Sequence, residues 1–236
     1  MLFTGFIASG EGFRSQIYQA YIGNQMDSWK KTIQEMEQQK SGEPDILPDL
    51  VNYQYGYIGW AIGMDRKKEA AGVLKDAELN LSELEKSGYS PSWINAYKSA
   101  FYGFKISLNP IKAPFLGPKS MEHAKKATEN DPDNWFGYVQ LANVYFYMPA
   151  GFGGSKKTAL EYLLKAEKMI ERDPGNLKEN WNYLSMLVFI GQARMEIKEF
   201  EAAGKTFEKI LKIEPRFSWV RDELYPQLLN KIKNNK

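Results

Sequence analysis

A short motif recurs three times in the second half of the chain: an acidic residue, a proline and, a few residues later, a tryptophan. The copies span residues 131–135, 173–181 and 214–219, and their prolines lie 42 and 41 residues apart. Repetition at a fixed period of roughly 20–50 residues is typical of proteins that stack similar structural units. A stacked array buries its core between neighbouring units and leaves a long surface for binding. The repeat therefore favours a binding or scaffolding role.

Charge and residue usage argue against several classes of protein. The chain has 31 lysines and arginines against 29 aspartates and glutamates, a formal net charge of +2. Both signs are mixed along the predicted helices, so no basic stripe indicates nucleic-acid binding. The chain contains no cysteine, which excludes disulfides, thiolate metal sites and a cysteine nucleophile.

The N-terminal segment differs from the rest of the chain. Residues 1–10 are apolar, uncharged and end in Ala8, Ser9 and Gly10, which resembles the end of a signal peptide with small residues at its cleavage site. The basic start of a signal peptide is missing, so the alternative is a frayed terminus or a first helical turn that packs on the next helix. We take residues 11–236 as a single domain and favour an exported or periplasmic location over a cytoplasmic one. No apolar stretch reaches the roughly 18–20 residues that a membrane span needs.

The hydrophobic pattern is helical almost throughout, and no segment shows the strict alternation of a strand. Glycine, proline and cap residues divide the chain into antiparallel helix pairs. A last helix begins at Ser218, and Pro226 within it predicts a kink or a restart. The sequence thus predicts an all-α fold, a right-handed α-solenoid of about five antiparallel helix pairs plus a C-terminal capping helix. The predicted pairs are 12–24 with 27–40, 46–64 with 65–86, 91–108 with 119–130, 134–148 with 155–172, and 177–197 with 199–213.

The fifth pair resembles a tetratricopeptide repeat. Ile190 and Gly191 supply a large–small step in the first helix, and Ala203, Phe207 and Pro215 follow at the family's spacing. Small residues let two helices approach closely, and aromatic residues fill the gaps beside them. The fourth pair matches the family at Tyr138, Leu141, Ala142, Tyr145, Ala159, Leu163 and Ala166.

The resemblance covers residues 134–215 most closely, extends to 90–133 and weakens before that. It implies a superhelix whose first helices line a concave groove for a peptide or helix of a partner, with no enzyme activity and no cofactor. The expected function is therefore a non-enzymatic scaffold or adaptor for protein–protein interaction. The alternative is a binding accessory protein of an envelope transport system, holding a small apolar molecule in the same groove.

Aromatic residues on the predicted first helices are the main binding candidates. Aromatic side chains exposed in a groove would anchor an apolar or helical ligand. The alternative is that a helix array of this length uses them as core between helices. Asn143 matches an asparagine with which some family members grip a peptide, but Val139, one turn earlier, replaces the lysine of a carboxylate clamp. The groove candidates are Tyr53, Trp60, Tyr97, Phe101, Phe104, Phe136, Val139, Asn143, Phe146, Val188, Gln192 and Met195.

Two predicted turns, 109–118 and 149–154, are unusually long and should project from one edge of the stack. Each carries a phenylalanine followed by glycine, so Phe115 and Phe152 are candidates for a partner-binding edge. The alternative is that both rings tuck onto each other or onto the stack.

Other motifs carry little chemistry. The glycines before Ser155 lack the residue order of a phosphate loop and follow no strand, so a flexible turn with Ser155 as helix N-cap is expected. His123 is the only histidine and has no clustered ligands for a metal. The carboxylates are scattered among lysines with no spacing of a paired acid and base. We therefore expect no catalytic residue and no metal site.

Overall fold

The structure, a computed structural model, describes residues 10–234 of the 236-residue chain. This part consists of helices and the turns that join them, with no strand, and so has an all-α fold. Each helix between residues 10 and 234 is too short or too polar to cross a membrane. The signal-peptide remnant predicted from the sequence falls almost wholly on residues 1–9, which lie outside the described residues.

Eleven α-helices follow one another along the described part, separated by turns of a few residues. Short 3₁₀ turns precede α3, α6, α8 and α9, and a π-helical turn, Val220–Leu224, precedes the last helix. The helices are α1 (Gly10–Ile22), α2 (Met26–Gln39), α3 (Leu47–Gly63), α4 (Lys67–Lys86), α5 (Pro91–Leu108), α6 (Ala113–Asn130), α7 (Trp135–Tyr147), α8 (Lys156–Ile170), α9 (Trp181–Glu196), α10 (Phe200–Ile213) and α11 (Tyr225–Asn234).

Two helix starts differ from the prediction by more than two residues. Helix α6 begins at Ala113, not at residue 119, so most of the expected long turn is helical. Pro114 lies in its first turn, where a missing backbone N–H costs little, whereas Pro118 lies inside the helix and has no N–H to donate to the backbone oxygen of Pro114. Helix α9 begins later than predicted, because Pro174–Leu177 forms a 3₁₀ turn of its own.

The acidic residue of the repeated motif closes the turn after α6, α8 and α10. In each copy its side chain accepts a hydrogen bond from the backbone N–H two residues later, beyond the proline. A local bond of this kind satisfies a backbone N–H of the turn that follows the helix. The three contacts are Asp131 to Asp133 (3.0 Å), Asp173 to Gly175 (2.9 Å) and Glu214 to Arg216 (3.1 Å).

Side-chain caps start three of the helices. Asn134 caps α7, Asn180 caps α9, and Ser155 caps α8 as predicted. Ser218 does not act as a cap. Its hydroxyl instead donates to the backbone oxygen of Ile22 at 3.1 Å, so it links the C-terminal turn to α1.

Hydrogen bonds fix the directions of the central helices. Ser99 contacts the backbone oxygen of Ser120 at 2.8 Å, and Ser92 contacts that of Ala127 at 2.6 Å, so α5 and α6 are antiparallel. At the start of α7, Asn134 donates to Ser92 at 2.7 Å. Helices α5 and α7 therefore run in the same direction, and they pack directly on each other, as α3 and α5 do.

The first helix packs against the C-terminal third of the chain. Helix α1 contacts α9, and Arg14 donates to the backbone oxygens of Lys178 and Glu179 just before that helix. The Tyr18 hydroxyl donates to the Glu214 carboxylate at 3.2 Å. Helix α1 is thus held by the start of α9 and by the residues that follow α10.

Candidate functional site

A buried group of aromatic rings occupies the centre of the molecule. Trp29 and Trp181 pack edge to face with ring centroids 5.0 Å apart, and Tyr21 lies 5.8 Å from each. The Trp29 indole donates to the backbone oxygen of Tyr53 at 3.0 Å. Gly56 leaves the necessary space, since a Cβ there would lie 2.5 Å from the Trp181 ring. These rings are core and leave no open channel at this point.

Seven of the twelve groove candidates are buried. The rings of Tyr97 and Phe136 lie 4.9 Å apart and fill the contact between α5 and α7. The prediction that these side chains line an open groove is therefore wrong for the buried seven. The first helices of successive pairs pack directly on one another, and these side chains form the core between them. The buried candidates are Tyr53, Tyr97, Phe101, Phe136, Val139, Val188 and Met195.

The other candidates reach the surface. Phe115 and Phe152 are 74% and 81% exposed, so neither ring tucks onto the helices. The partly exposed groove candidates are Trp60, Phe104, Asn143, Phe146 and Gln192.

A small polar network lies between α3 and α7. The buried Gln140 donates to the Tyr55 hydroxyl at 3.4 Å and accepts from Asn143 at 3.3 Å. Burial raises the pKa of the Tyr55 phenol, so this group stays neutral at physiological pH. The network is therefore uncharged and presents amide and hydroxyl groups that can donate or accept.

One turn further along α7, three aromatic rings form a surface cluster, which we call the aromatic patch: Phe146, Tyr147 and Phe189. Phe146 packs edge to face on Tyr147 at 5.0 Å and on Phe189 at 4.9 Å. Tyr147 is 73% exposed and lies parallel to Phe189 at 6.4 Å. Phe146 and Phe189 are partly exposed beside the exposed Tyr147, so the cluster offers an apolar area at the surface. Large apolar side chains gathered in one place mark binding sites.

Lys156 gives the patch a positive charge. Its Nζ lies 3.4 Å from the centroid of the Phe146 ring and donates to the Phe146 backbone oxygen. Burial lowers the pKa of this amine, and it forms no ion pair within residues 12–234. A carboxylate brought to the patch would pair with Lys156 and offset that penalty.

Five residues of this site are absent from the sequence-based set: Tyr55, Gln140, Tyr147, Lys156 and Phe189. On α9 the sequence placed the groove on Val188, Gln192 and Met195, of which Val188 and Met195 are buried. The partly exposed face carries Ser185 and Phe189 together with Gln192, at helical spacing. That spacing is the signal that could have located Phe189.

A cleft of about 1130 Å³ between α2 and α4 is lined by none of the candidates. Four of its polar side chains bind one another. Glu37 accepts from Gln54 at 2.8 Å and pairs with Lys40 at 2.8 Å, and Asn80 donates to Gln54 at 3.0 Å. No aromatic side chain of the described part of the chain lines this cleft.

His123 has structural neighbours. Its ring stacks on Tyr102 at 5.5 Å, and its Nδ1 lies 2.7 Å from the Asn95 oxygen. Over the described range, no three potential metal ligands come together.

The helices form an all-α fold like that of helical-repeat proteins. Two solved structures are similar to the chain. The HusA haemophore from Porphyromonas gingivalis has a TM-score of 0.65 at 20% identity, with 82% of this chain and 96% of that chain covered. BtubC (BKLC) from P. vanneervenii has a TM-score of 0.41 at 15% identity, with 82% and 74% covered. No family model and no curated protein matches the chain. At these identities the likeness concerns the fold alone.

Proposed function

We propose that this chain is a non-enzymatic binding protein that holds a flat, largely apolar ligand on the aromatic patch, and that its helices form a tetratricopeptide-like solenoid of about five pairs. The observation that carries the proposal is the exposed ring cluster of Phe146, Tyr147 and Phe189 beside the cation of Lys156. A planar ligand stacks on aromatic rings, and a peripheral carboxylate on it pairs with the lysine.

The size of the exposed surface favours a compact ligand. Long groove-bound peptides need several anchor positions along successive helices. Here Tyr97, Phe101 and Val139 are buried, so the exposed apolar surface on α7 is concentrated near Phe146 and Tyr147. The partly exposed amide of Asn143, held by the buried Gln140, lies one turn before Phe146 and can orient a polar substituent.

Tetrapyrroles have the required chemistry: a flat conjugated ring with carboxylates at its rim. The solved structure with the TM-score of 0.65 is described as a haemophore, which supports this class. An iron-bound tetrapyrrole would meet no histidine at the patch, since His123 lies on α6 against Tyr102. The Tyr147 hydroxyl is the oxygen donor that the patch offers to iron, as tyrosinate ligands do in some haem proteins, although burial raises the pKa of this phenol and the metal would have to offset that shift.

The test is titration with haemin and with metal-free protoporphyrin IX, followed by absorbance and tryptophan fluorescence. Phe146→Ala and Phe189→Ala should each weaken binding of both compounds at least about tenfold, equivalent to about 1.4 kcal/mol. Tyr147→Phe should weaken haemin alone if the hydroxyl ligates iron.

Leu79→Ala is the matched control, because Leu79 is 63% exposed and lies on α4 away from the patch. Circular dichroism checks that each variant keeps its helix content. The proposal is wrong if the protein binds neither compound, or if all variants bind them as tightly as the unaltered protein.

A second candidate is the peptide-binding adaptor that the sequence predicts. One observation favours it: Trp60, Phe104 and Gln192 are partly exposed on three other helices, α3, α5 and α9. A bound peptide would contact several of them, so Trp60→Ala and Phe104→Ala should weaken peptide capture while leaving haemin binding unchanged. The two candidates are thus separable with the same variants.

A further inference from the structure

The three most exposed large apolar side chains of the described residues lie on two turns. Ile111 is 84% exposed, Phe152 is 81% exposed and Phe115 is 74% exposed. Ile111 belongs to the 3₁₀ turn before α6, Phe115 to the first turn of α6, and Phe152 to the 3₁₀ turn before α8. Single exposed apolar side chains are common, but several gathered at one place on the surface mark an interaction site.

The two turns lie at the same end of the molecule. Helices α5 and α7 pack on each other and run in the same direction, so the turns that follow them are neighbours. Helix α3 also packs on α5, and Met64, which follows α3, is 58% exposed. The exposed apolar side chains therefore form a row along this end.

The surroundings of this row are positively charged. The stretches 86–121 and 134–160 contain seven lysines and no aspartate or glutamate, but Lys98 and Lys105 pair with Glu85 and Glu78 of α4. Lys112 on the first turn, Lys119 in α6 and Lys157 at the start of α8 are exposed, and none of these three forms an ion pair within residues 12–234. The charge of this end is complementary to an anionic surface.

We propose that this end docks peripherally on a lipid bilayer that contains anionic lipid. The docking edge consists of Ile111, Phe115 and Phe152 with Lys112, Lys119 and Lys157. The apolar side chains stand on separate turn tips, a form suited to entering the boundary between headgroups and acyl chains. The lysines pair with anionic phosphates, and the helices stay outside the bilayer.

Docking at this end would also orient the ligand site relative to the membrane. Tyr147 ends α7 immediately before the turn that carries Phe152, so docking would bring the aromatic patch next to the membrane surface. A flat apolar ligand partitions into the same boundary. The protein could then exchange that ligand with the lipid phase directly.

Co-sedimentation with vesicles tests the proposal. The protein should pellet with phosphatidylcholine vesicles that contain about a third of phosphatidylglycerol, remain in solution with pure phosphatidylcholine, and bind less as salt rises. The double variant Phe115→Ser with Phe152→Ser should lower the partition coefficient at least about tenfold. Lys112→Glu with Lys157→Glu should lower it on anionic vesicles by a similar factor.

Leu79→Ser, an exposed apolar residue on α4, is the matched control and should bind like the unaltered protein. Because the substituted side chains are exposed, circular dichroism should show unchanged helix content, and Ile111→Ser alone serves if a double variant unfolds. Failure of the unaltered protein to pellet with anionic vesicles overturns the proposal, as does equal pelleting of the Phe115/Phe152 variant. A concentration-dependent dimer that this variant abolishes, without vesicle binding, would assign the edge to a second copy of the chain instead.

Discussion

The hydroxyl of Tyr18 donates a hydrogen bond to the Glu214 carboxylate, 3.2 Å away, although 196 residues separate them in the chain. Glu214 also accepts from the Arg216 guanidinium at 3.0 Å and from the Arg216 backbone N–H at 3.1 Å. Arg216 holds the pKa of this carboxyl below its usual value. Burial, together with Glu214, raises the pKa of Tyr18 to about 12. A single ionised group therefore ties the first helix to the turn after α10.

This tie predicts acid sensitivity. The folded pKa of Glu214 lies below its ordinary value of 4.5, so its stabilising contribution is present above that value and is lost as pH falls through the folded pKa. Glu214→Gln should lower the free energy of unfolding at neutral pH by about 1–3 kcal/mol and reduce its further loss in acid. Urea unfolding at several pH values measures both effects. Glu201→Gln, which alters an 87% exposed side chain paired only with Lys205, is the control and should change little. If both variants changed the free energy of unfolding equally, the hydrogen bonds of Glu214 would not be what stabilises this turn.

Gly56 should resist even the smallest side chain. A Cβ there would lie 2.5 Å from the Trp181 ring and 2.7 Å from the Trp29 ring. We expect Gly56→Ala to destabilise the protein by about 1–3 kcal/mol and to change tryptophan fluorescence. Gly72→Ala, also inside a helix but with no atom within 4 Å of its new Cβ, should stabilise by about 0.5–1 kcal/mol. The reverse order of stability would contradict the packing described for Trp29 and Trp181.

Gly191 is a second close approach. A Cβ at this position would lie 2.3 Å from the Phe207 ring, and this contact joins α9 to α10. Gly191→Ala should cost about 1–3 kcal/mol, whereas Gly103→Ala, in open space on α5, should not. Adding Phe207→Leu to Gly191→Ala should recover part of the loss, which thermal unfolding of the two single variants and the double variant measures. If the stability changes of the two single variants simply add in the double variant, the two residues are not in steric conflict.

His123 should matter little. Its partial burial lowers the pKa of the imidazole, and Lys98 acts in the same direction. Because the folded pKa lies below the ordinary value of 6.5, protonation opposes folding and a little stability is lost as pH falls below that value. His123→Ala should remove this dependence, change stability by no more than about 1 kcal/mol and leave ligand binding intact. Loss of binding with an unchanged circular dichroism spectrum would instead give His123 a functional role.

Most helices could be predicted from the sequence because their boundaries carry local chemistry. Pro91 begins α5 as predicted, and the three acidic–proline motifs lie in the turns after second helices. The prediction of α6 was wrong at its start because Pro114 and Pro118 resemble breakers, yet Pro114 is tolerated in the first turn and the helix continues through Pro118. Pro226 did mark an irregularity, the π-helical turn before α11.

The candidate site was harder to predict because exposure depends on tertiary packing. Tyr97 and Phe146 look alike in the sequence, but Tyr97 is covered by Phe136 whereas Phe146 lies at the surface beside Phe189. A one-residue error in helix phase placed the α9 face on Val188 in place of Phe189. The polar network depends on Tyr55 and Gln140, 85 residues apart, a distance over which local patterns carry no information.

The contacts between α1 and the C-terminal third of the chain also determine when α1 can complete its packing during synthesis. Of the described helices α1 is synthesised before the others, but Tyr18 and Ile22 meet Glu214 and Ser218 only after those C-terminal residues have been made. Its apolar face, with Phe13 and Ile17, has part of its packing surface missing until then. Helix α1 is thus among the last of the described helices to become fully packed, and chaperones that shield apolar segments on nascent chains would find a long-lived target there.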